Sequence, residues 1–202
     1  MPGTSDKSAV LDSYAGGMEG VAIASTRVKA WRAPTPCGAW TVLELAGHLL
    51  AIVRYYHRLL DAAAAGAPLT ELPRGPDLAV MNARDLAALS EADGPTRAAR
   101  FVELAGEHLG RLSESDWDMR LGNWSGLGDL SVAEHTGVAI GEWHVHAWDL
   151  ARANGGDHRP SDPEVLAAGQ HVLGRLVGPG DPWTQLLVAY GRDPEWSIPT
   201  DR

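Results

Sequence analysis

The chain has 202 residues and a formal net charge of −9, with Lys and Arg scattered along it. That balance argues against nucleic acid, whose recognition needs basic surface to neutralise phosphates. No stretch approaches the ~20 apolar residues of a membrane span, and the N-terminus lacks a basic-then-apolar signal pattern, so a cytoplasmic protein with no membrane partner is expected. Ala, Leu and Gly dominate and β-branched runs are few, which favours an all-α protein. Residues 6–31 carry Val10, Leu11, Tyr14, Met18, Val21, Ala22 and Val28 at helical spacing, weakened by Gly16-Gly17. Two prolines and a glycine in 33–38 break the pattern and predict a loop.

The second helix opens on a capping box, Thr41 with Glu44, and a hydrophobic staple, Trp40 with Leu45. Val42, Leu45, Leu49, Ile52, Tyr56 and Leu59 then form one apolar stripe in a helix running to about Ala65. His48 lies inside that stripe, and a polar ring at a core position must find a hydrogen bond or a metal. Residues 66–76 read as a connection and 77–92 as a modest helix that Asp93-Gly94-Pro95 ends. Residues 96–114 read as a stronger helix, and 121–129 as a loop with Trp124 at its middle. Ser131 with Glu134 makes a second capping box, and this helix continues to about Asn154, where Gly155-Gly156 stops it. Residues 163–177 and 182–190 read as further helices, closed by Gly191-Arg192-Asp193-Pro194. The expectation is a four-helix bundle over 6–155 with a helical C-terminal extension over 156–202 packed on it.

The length suffices to bury a core without structural metal, so any metal is expected to serve chemistry. Glu142 and His146 stand four residues apart, one turn apart on one helical face. His144 falls about 200° from Glu142 on the same wheel, on the opposite face, and is read as a bystander, exposed or packed at a contact. His48 and His146 both face the expected core. Two histidines and one glutamate with open positions suit catalytic Zn²⁺, and equally a non-haem Fe(II) triad, with Ni²⁺ or Mn²⁺ compatible. For each residue alone the plainer alternative is a core histidine satisfied by a carbonyl, or an ordinary surface Glu–His pair. Asp149 is read as orienting a ligand histidine or bonding loop backbone. His135, about two turns before Glu142, either lines the pocket entrance or is a satisfied core histidine. Trp124 is a candidate pocket residue from the loop preceding the helix. Cys37 is the one cysteine, with nothing adjacent to lower its pKa, and reads as a packed loop residue. His57, His108, His158 and His171 have no partners at suggestive spacing.

The run Thr35-Pro36-Cys37-Gly38-Ala39-Trp40-Thr41-Val42 with His48-Leu49, and the run Glu142-x-x-x-His146-x-Trp148-Asp149-Leu150-Ala151, resemble the two signatures of the mycothiol-dependent maleylpyruvate isomerase-like proteins. These belong to the DinB/YfiT-like superfamily of metalloenzymes, and the resemblance covers roughly residues 8 to 155. It implies an up-down-down-up four-helix bundle with a divalent metal, held here by His48, Glu142 and His146, and mycothiol as a thiol cofactor. It also implies a small electrophilic substrate and, as in much of the superfamily, a homodimer. In the characterised isomerase a second domain contributes an active-site arginine. The roughly fifty residues after Gly155 are too few for such a domain, and no equivalent arginine is assignable from the sequence. The function expected is metal-dependent activation of a low-molecular-weight thiol for transfer or isomerisation. The alternatives are a metal-dependent hydrolase and a non-catalytic binding module of the same fold.

Overall fold

The computed structural model describes residues 6–38, 40–67, 76–123, 129–169 and 180–198. In chain order these form α1 (Lys7–Thr26), α2 (Val42–Ala64), α3 (Pro76–Ala87), α4 (Gly94–Glu114), β1 (Arg120–Asn123), β2 (Asp129–Ser131), α5 (Val132–Arg152), α6 (Pro163–Gly169) and α7 (Pro182–Ala189). The protein is an all-α helical bundle. Its long helices α1, α2, α4 and α5 enclose a core that includes Tyr14, Leu45, Leu49, Tyr56, Phe101, Leu112, Ile140 and Trp143, all fully buried. Helix α1 packs against α4 and α5, α2 against α4 and α5, and α3 lies on α2. No helix among the described residues is long and apolar enough to cross a membrane.

Both capping boxes form. Thr41 Oγ1 accepts from Glu44 N (3.3 Å) and Glu44 Oε2 accepts from Thr41 N (2.8 Å). At the start of α5, Ser131 Oγ accepts from Glu134 N (3.2 Å) and Glu134 Oε2 from Ser131 N (2.7 Å). Each box satisfies backbone donors that have no partner in the first turn, and so fixes where α2 and α5 begin. The glycines that weaken α1 have a packing cause. A Cβ at Gly17 would lie 2.7 Å from Cβ of Trp143 and 3.1 Å from Cδ2 of His144, so α5 approaches α1 only because Gly17 has no side chain.

Three local expectations change. Asp93-Gly94-Pro95 starts α4 rather than merely ending α3: Asp93 accepts from Thr96 N (2.8 Å), with proline in the first turn, where its missing N–H costs nothing. Helix α3 stops at Ala87, short of residue 92. Residues 121–129 are not simply a loop, because β1 and β2 pair antiparallel, Arg120 opposite Ser131 and Asn123 opposite Asp129. Strands of four and three residues are too short to show a period-2 pattern in sequence. Beyond residue 169, the predicted helix over 163–177 lies outside the described residues, as does Trp124.

Candidate metal centre

Helix α5 is buried on nearly all sides, so side chains from both its faces meet protein. On one face Glu142 and His146 stand with Oε2 and Nε2 3.4 Å apart. His48 reaches the same carboxylate from α2, its Nε2 4.0 Å from Glu142 Oε2. The ligand atoms of His48, Glu142 and His146 all lie within 4.8 Å of one another. The convergence brings together, from two helices and across about a hundred residues of chain, two imidazoles and a carboxylate. Glu142 is the most open of the three, its side chain 17 % exposed against 10 % for His48 and 4 % for His146.

Behind His146 the support is complete. Its Nδ1–H donates to Asp149 Oδ2 (2.9 Å), which fixes the tautomer and turns the Nε2 lone pair toward Glu142 and His48. Asp149 is fully buried, and a buried carboxylate needs a partner. Arg192 supplies it, donating from Nε to Oδ1 (3.0 Å) and from Nη2 to Oδ2 (2.8 Å). The same guanidinium donates to Tyr190 O (2.6 Å) and to Cys37 Sγ (3.0 Å). Arg192 reaches inward because α7 ends in a left-handed turn. Gly191 (φ 74°) donates its N–H to Val188 O and Arg192 its N–H to Leu187 O, each at 2.8 Å, and the chain reverses at that point. The sequence showed the stop signal; it could not show that the next side chain enters the centre.

The loop before α2 adds an aromatic wall. Thr35 bonds Trp40 O through both its N–H (3.2 Å) and its hydroxyl (2.8 Å), and the Trp40 ring packs on His48 with centroids 4.4 Å apart. Cys37 in this loop is half-buried, and burial pushes its thiol up to about 12 despite the nearby Arg192. It is therefore a protonated packing and acceptor group at neutral pH.

Ionisation suits cation binding at two of the three donors. Burial would raise the Glu142 pKa, but hydrogen bonds to His146 and His48 outweigh it and hold the carboxyl well below its usual range. Burial lowers the His48 pKa, partly offset by Glu142, so this ring is neutral. Burial alone would also lower His146, but its hydrogen bonds to Asp149 and Glu142 outweigh burial and raise it. The donor set fits a divalent ion. A second grouping, Cys37 with His146 and Asp149, also falls within 4.8 Å. There the Arg192 charge already sits against both Cys37 and Asp149, and His146 offers only the nitrogen whose proton Asp149 holds, so that grouping does not fit a cation.

The remaining histidines sort by environment. His144 is buried at a contact, not exposed: its Nε2–H donates to Ser13 O (2.8 Å) and its Nδ1 accepts from His158 Nε2–H (2.9 Å). His135 is fully buried with its ring edge-on to Tyr56, centroids 4.4 Å apart, and belongs to neither grouping. His108, which lacked a partner by spacing, bonds Tyr14 Oη through Nδ1 (2.9 Å). His57 is gripped by Arg111 (3.0 Å) and by Leu104 O (3.0 Å).

The family whose sequence model is described as the mycothiol maleylpyruvate isomerase N-terminal domain matches residues 22–151, more than half of the chain. The chain belongs to this family. No curated protein and no solved structure gives a significant match. The part shared with the mycothiol maleylpyruvate isomerase family contains Trp40, His48, Glu142, His146 and Asp149, whereas Arg192 lies beyond it.

Proposed function

We propose that the protein is a divalent-metal-dependent enzyme that activates a low-molecular-weight thiol, mycothiol first, for transfer to or isomerisation of a small electrophile. The observation that carries this reading is the convergence of His48, Glu142 and His146, with His146 backed by the Asp149–Arg192 pair. Two imidazoles and one carboxylate suit Zn²⁺ best, and accommodate Fe(II), Ni²⁺ or Mn²⁺. A divalent ion held by His48, Glu142 and His146 would supply Lewis acidity that lowers the pKa of a thiol at the site.

The chain's own residues do the rest. Asp149 holds the Nδ1 proton of His146, leaving Nε2 free to donate its lone pair. Arg192 offsets the charge of Asp149, so the formal charge near the donors reduces to that of Glu142 alone. With a divalent cation bound, that single negative charge would leave one net positive unit at the donors, which would favour an anionic partner. Trp40 shields one side of His48 from water and raises the strength of the electrostatic interactions around it.

Cobalt(II)-substituted protein titrated with mycothiol tests the reading. The expected result is a thiolate-to-cobalt charge-transfer absorption in the near ultraviolet, with metal-dependent conjugation of mycothiol to 1-chloro-2,4-dinitrobenzene. Hydrolysis of an ester or amide with no spectral response to any thiol would overturn it in favour of a hydrolase.

A further inference from the structure

A cleft of about 370 Å³ lies where α2, the C-terminal end of α3 and α4 meet. That volume falls within the range of small-molecule sites, about 300–1,000 Å³. Its α2 side is built from Ala51, Arg54 and Arg58, which share one helical face. On the wheel that face is turned about 60–120° from His48. None of His48, Glu142 and His146 lines the cleft, so it is a place apart from the metal centre.

The cleft sets fixed cations beside an apolar floor of Ala51, Ala88, Leu89 and Leu104. Arg54 is held by Glu91, to whose two carboxylate oxygens Nη1 and Nη2 donate, while its Nε–H makes no hydrogen bond among the described residues. Arg58 lies over the buried Tyr55 ring, its Cζ 5.5 Å from the centroid, and has no carboxylate partner among the described residues. Asp85, the acid in the lining, is taken by Arg84, whose Nε (3.1 Å) and Nη2 (3.0 Å) both donate to its Oδ1. His57 has both ring nitrogens occupied, by Leu104 O (3.0 Å) and by Arg111 (3.0 Å), so it lends the wall carbon surface. Arg54, Arg58 and Arg84 against Asp85 and Glu91 leave one positive charge in excess, on a chain whose formal net charge is −9.

That combination selects a ligand class. A purely apolar molecule would take the Arg58 guanidinium out of water with nothing to bond it. A phosphate dianion brings two charges against an excess of one and has no use for the floor. A carboxylate brings one, and its two oxygens match the planar fork of a guanidinium. We infer that the cleft binds a small amphipathic monocarboxylate, an aryl or short alkyl acid, with Arg58 and Arg54 on the carboxylate and the stem on the apolar floor. Charge and apolar contact do the recognising, with no part for the metal ion.

Titration of the purified protein with phenylacetate, with its neutral isostere phenylacetamide and with inorganic phosphate, followed by amide NMR, tests it. Wild type is expected to bind phenylacetate at least about tenfold more tightly than either, the effect of one hydrogen bond to a charged group. The amide signals of Arg54, Arg58 and Leu89 are expected to move with it. Arg58→Gln removes the unpaired cation from an exposed position, and Ala88→Trp fills the cleft from another. Each is expected to weaken phenylacetate at least about tenfold. Phenylacetamide or phosphate bound as tightly as phenylacetate would overturn the assignment, as would no binding of phenylacetate. So would a preference that survives both variants, since a carboxylate caught by a metal ion at the other site would ignore them.

Discussion

His144 and His146 are two residues apart on α5, and the bundle treats them in opposite ways. His146 faces carboxylates: Asp149 takes its Nδ1 proton, Glu142 stands 3.4 Å from Nε2, and its pKa rises despite burial. His144 faces neutral partners, Ser13 O and His158, and burial brings it down to about 4. Both rings are almost wholly buried, so solvent does not separate them. The difference lies in what sits opposite each ring: a set of charges open to a cation on one side, a closed chain of neutral hydrogen bonds on the other. Helical period alone assigns the two faces, and the neighbouring helices assign their chemistry.

The strongest way to break the comparison is to exchange the consequences of mutation. Glu142→Gln and His146→Ala are expected to leave less than about a tenth of the bound metal. His144→Ala is expected to keep the metal and lose stability, roughly 2–4 kcal/mol from a vacated core site and the lost hydrogen bonds to Ser13 O and His158. Metal analysis alongside chemical denaturation of the three variants reads both columns, and metal loss in His144→Ala would end the distinction.

Acid sharpens it next. His144 and His158 are both lowered to about 4 by burial, so between about pH 6.5 and pH 4 the unfolded chain takes up protons that the folded one refuses. Stability is therefore fully present above about 6.5 and is lost as pH falls toward 4, by about 3 kcal/mol through His144. Denaturation curves from pH 7.5 to 4 on the wild type and His158→Phe are expected to show a shallower loss in the variant. Parallel curves would assign the acid sensitivity elsewhere.

On the charged face, Asp149→Asn keeps the shape and removes the charge that raises the basicity of His146. Zinc affinity, measured by competition with a chelator, is expected to weaken about 10–100-fold. Unchanged affinity would make the Asp149–Arg192 pair a fastening for the C-terminal residues only. On the neutral face, Gly17→Ala places a methyl group 2.7 Å from Trp143 Cβ and is expected to cost about 1–3 kcal/mol in thermal or chemical denaturation, with zinc affinity little changed.

Much of this was legible in the sequence wherever the determinant was local. The Thr41–Glu44 and Ser131–Glu134 boxes mark helix starts because both partners lie within one turn, and the stripe around His48 sends that ring inward because Leu45, Leu49 and Ile52 flank it. Features that depend on distant chain were not legible. Arg192 follows a glycine stop signal, but its approach to Asp149, 43 residues away, depends on how α7 docks. The exposure of His144 was open for the same reason: a wheel gives a direction, and α1 with its glycines fills the space that direction points into. Asp93-Gly94-Pro95 was ambiguous in kind, since residues that stop one helix also cap the next.

The most direct test of the central claim is the metal content of the purified protein, set against a His48→Ala variant after both are dialysed with excess zinc and then desalted. The account predicts about one equivalent per wild-type chain and close to none in the variant, because three donors are the fewest that hold an open catalytic site. A wild-type protein that neither carries nor takes up zinc, iron, nickel or manganese, or a His48→Ala variant that retains the full equivalent, would contradict it.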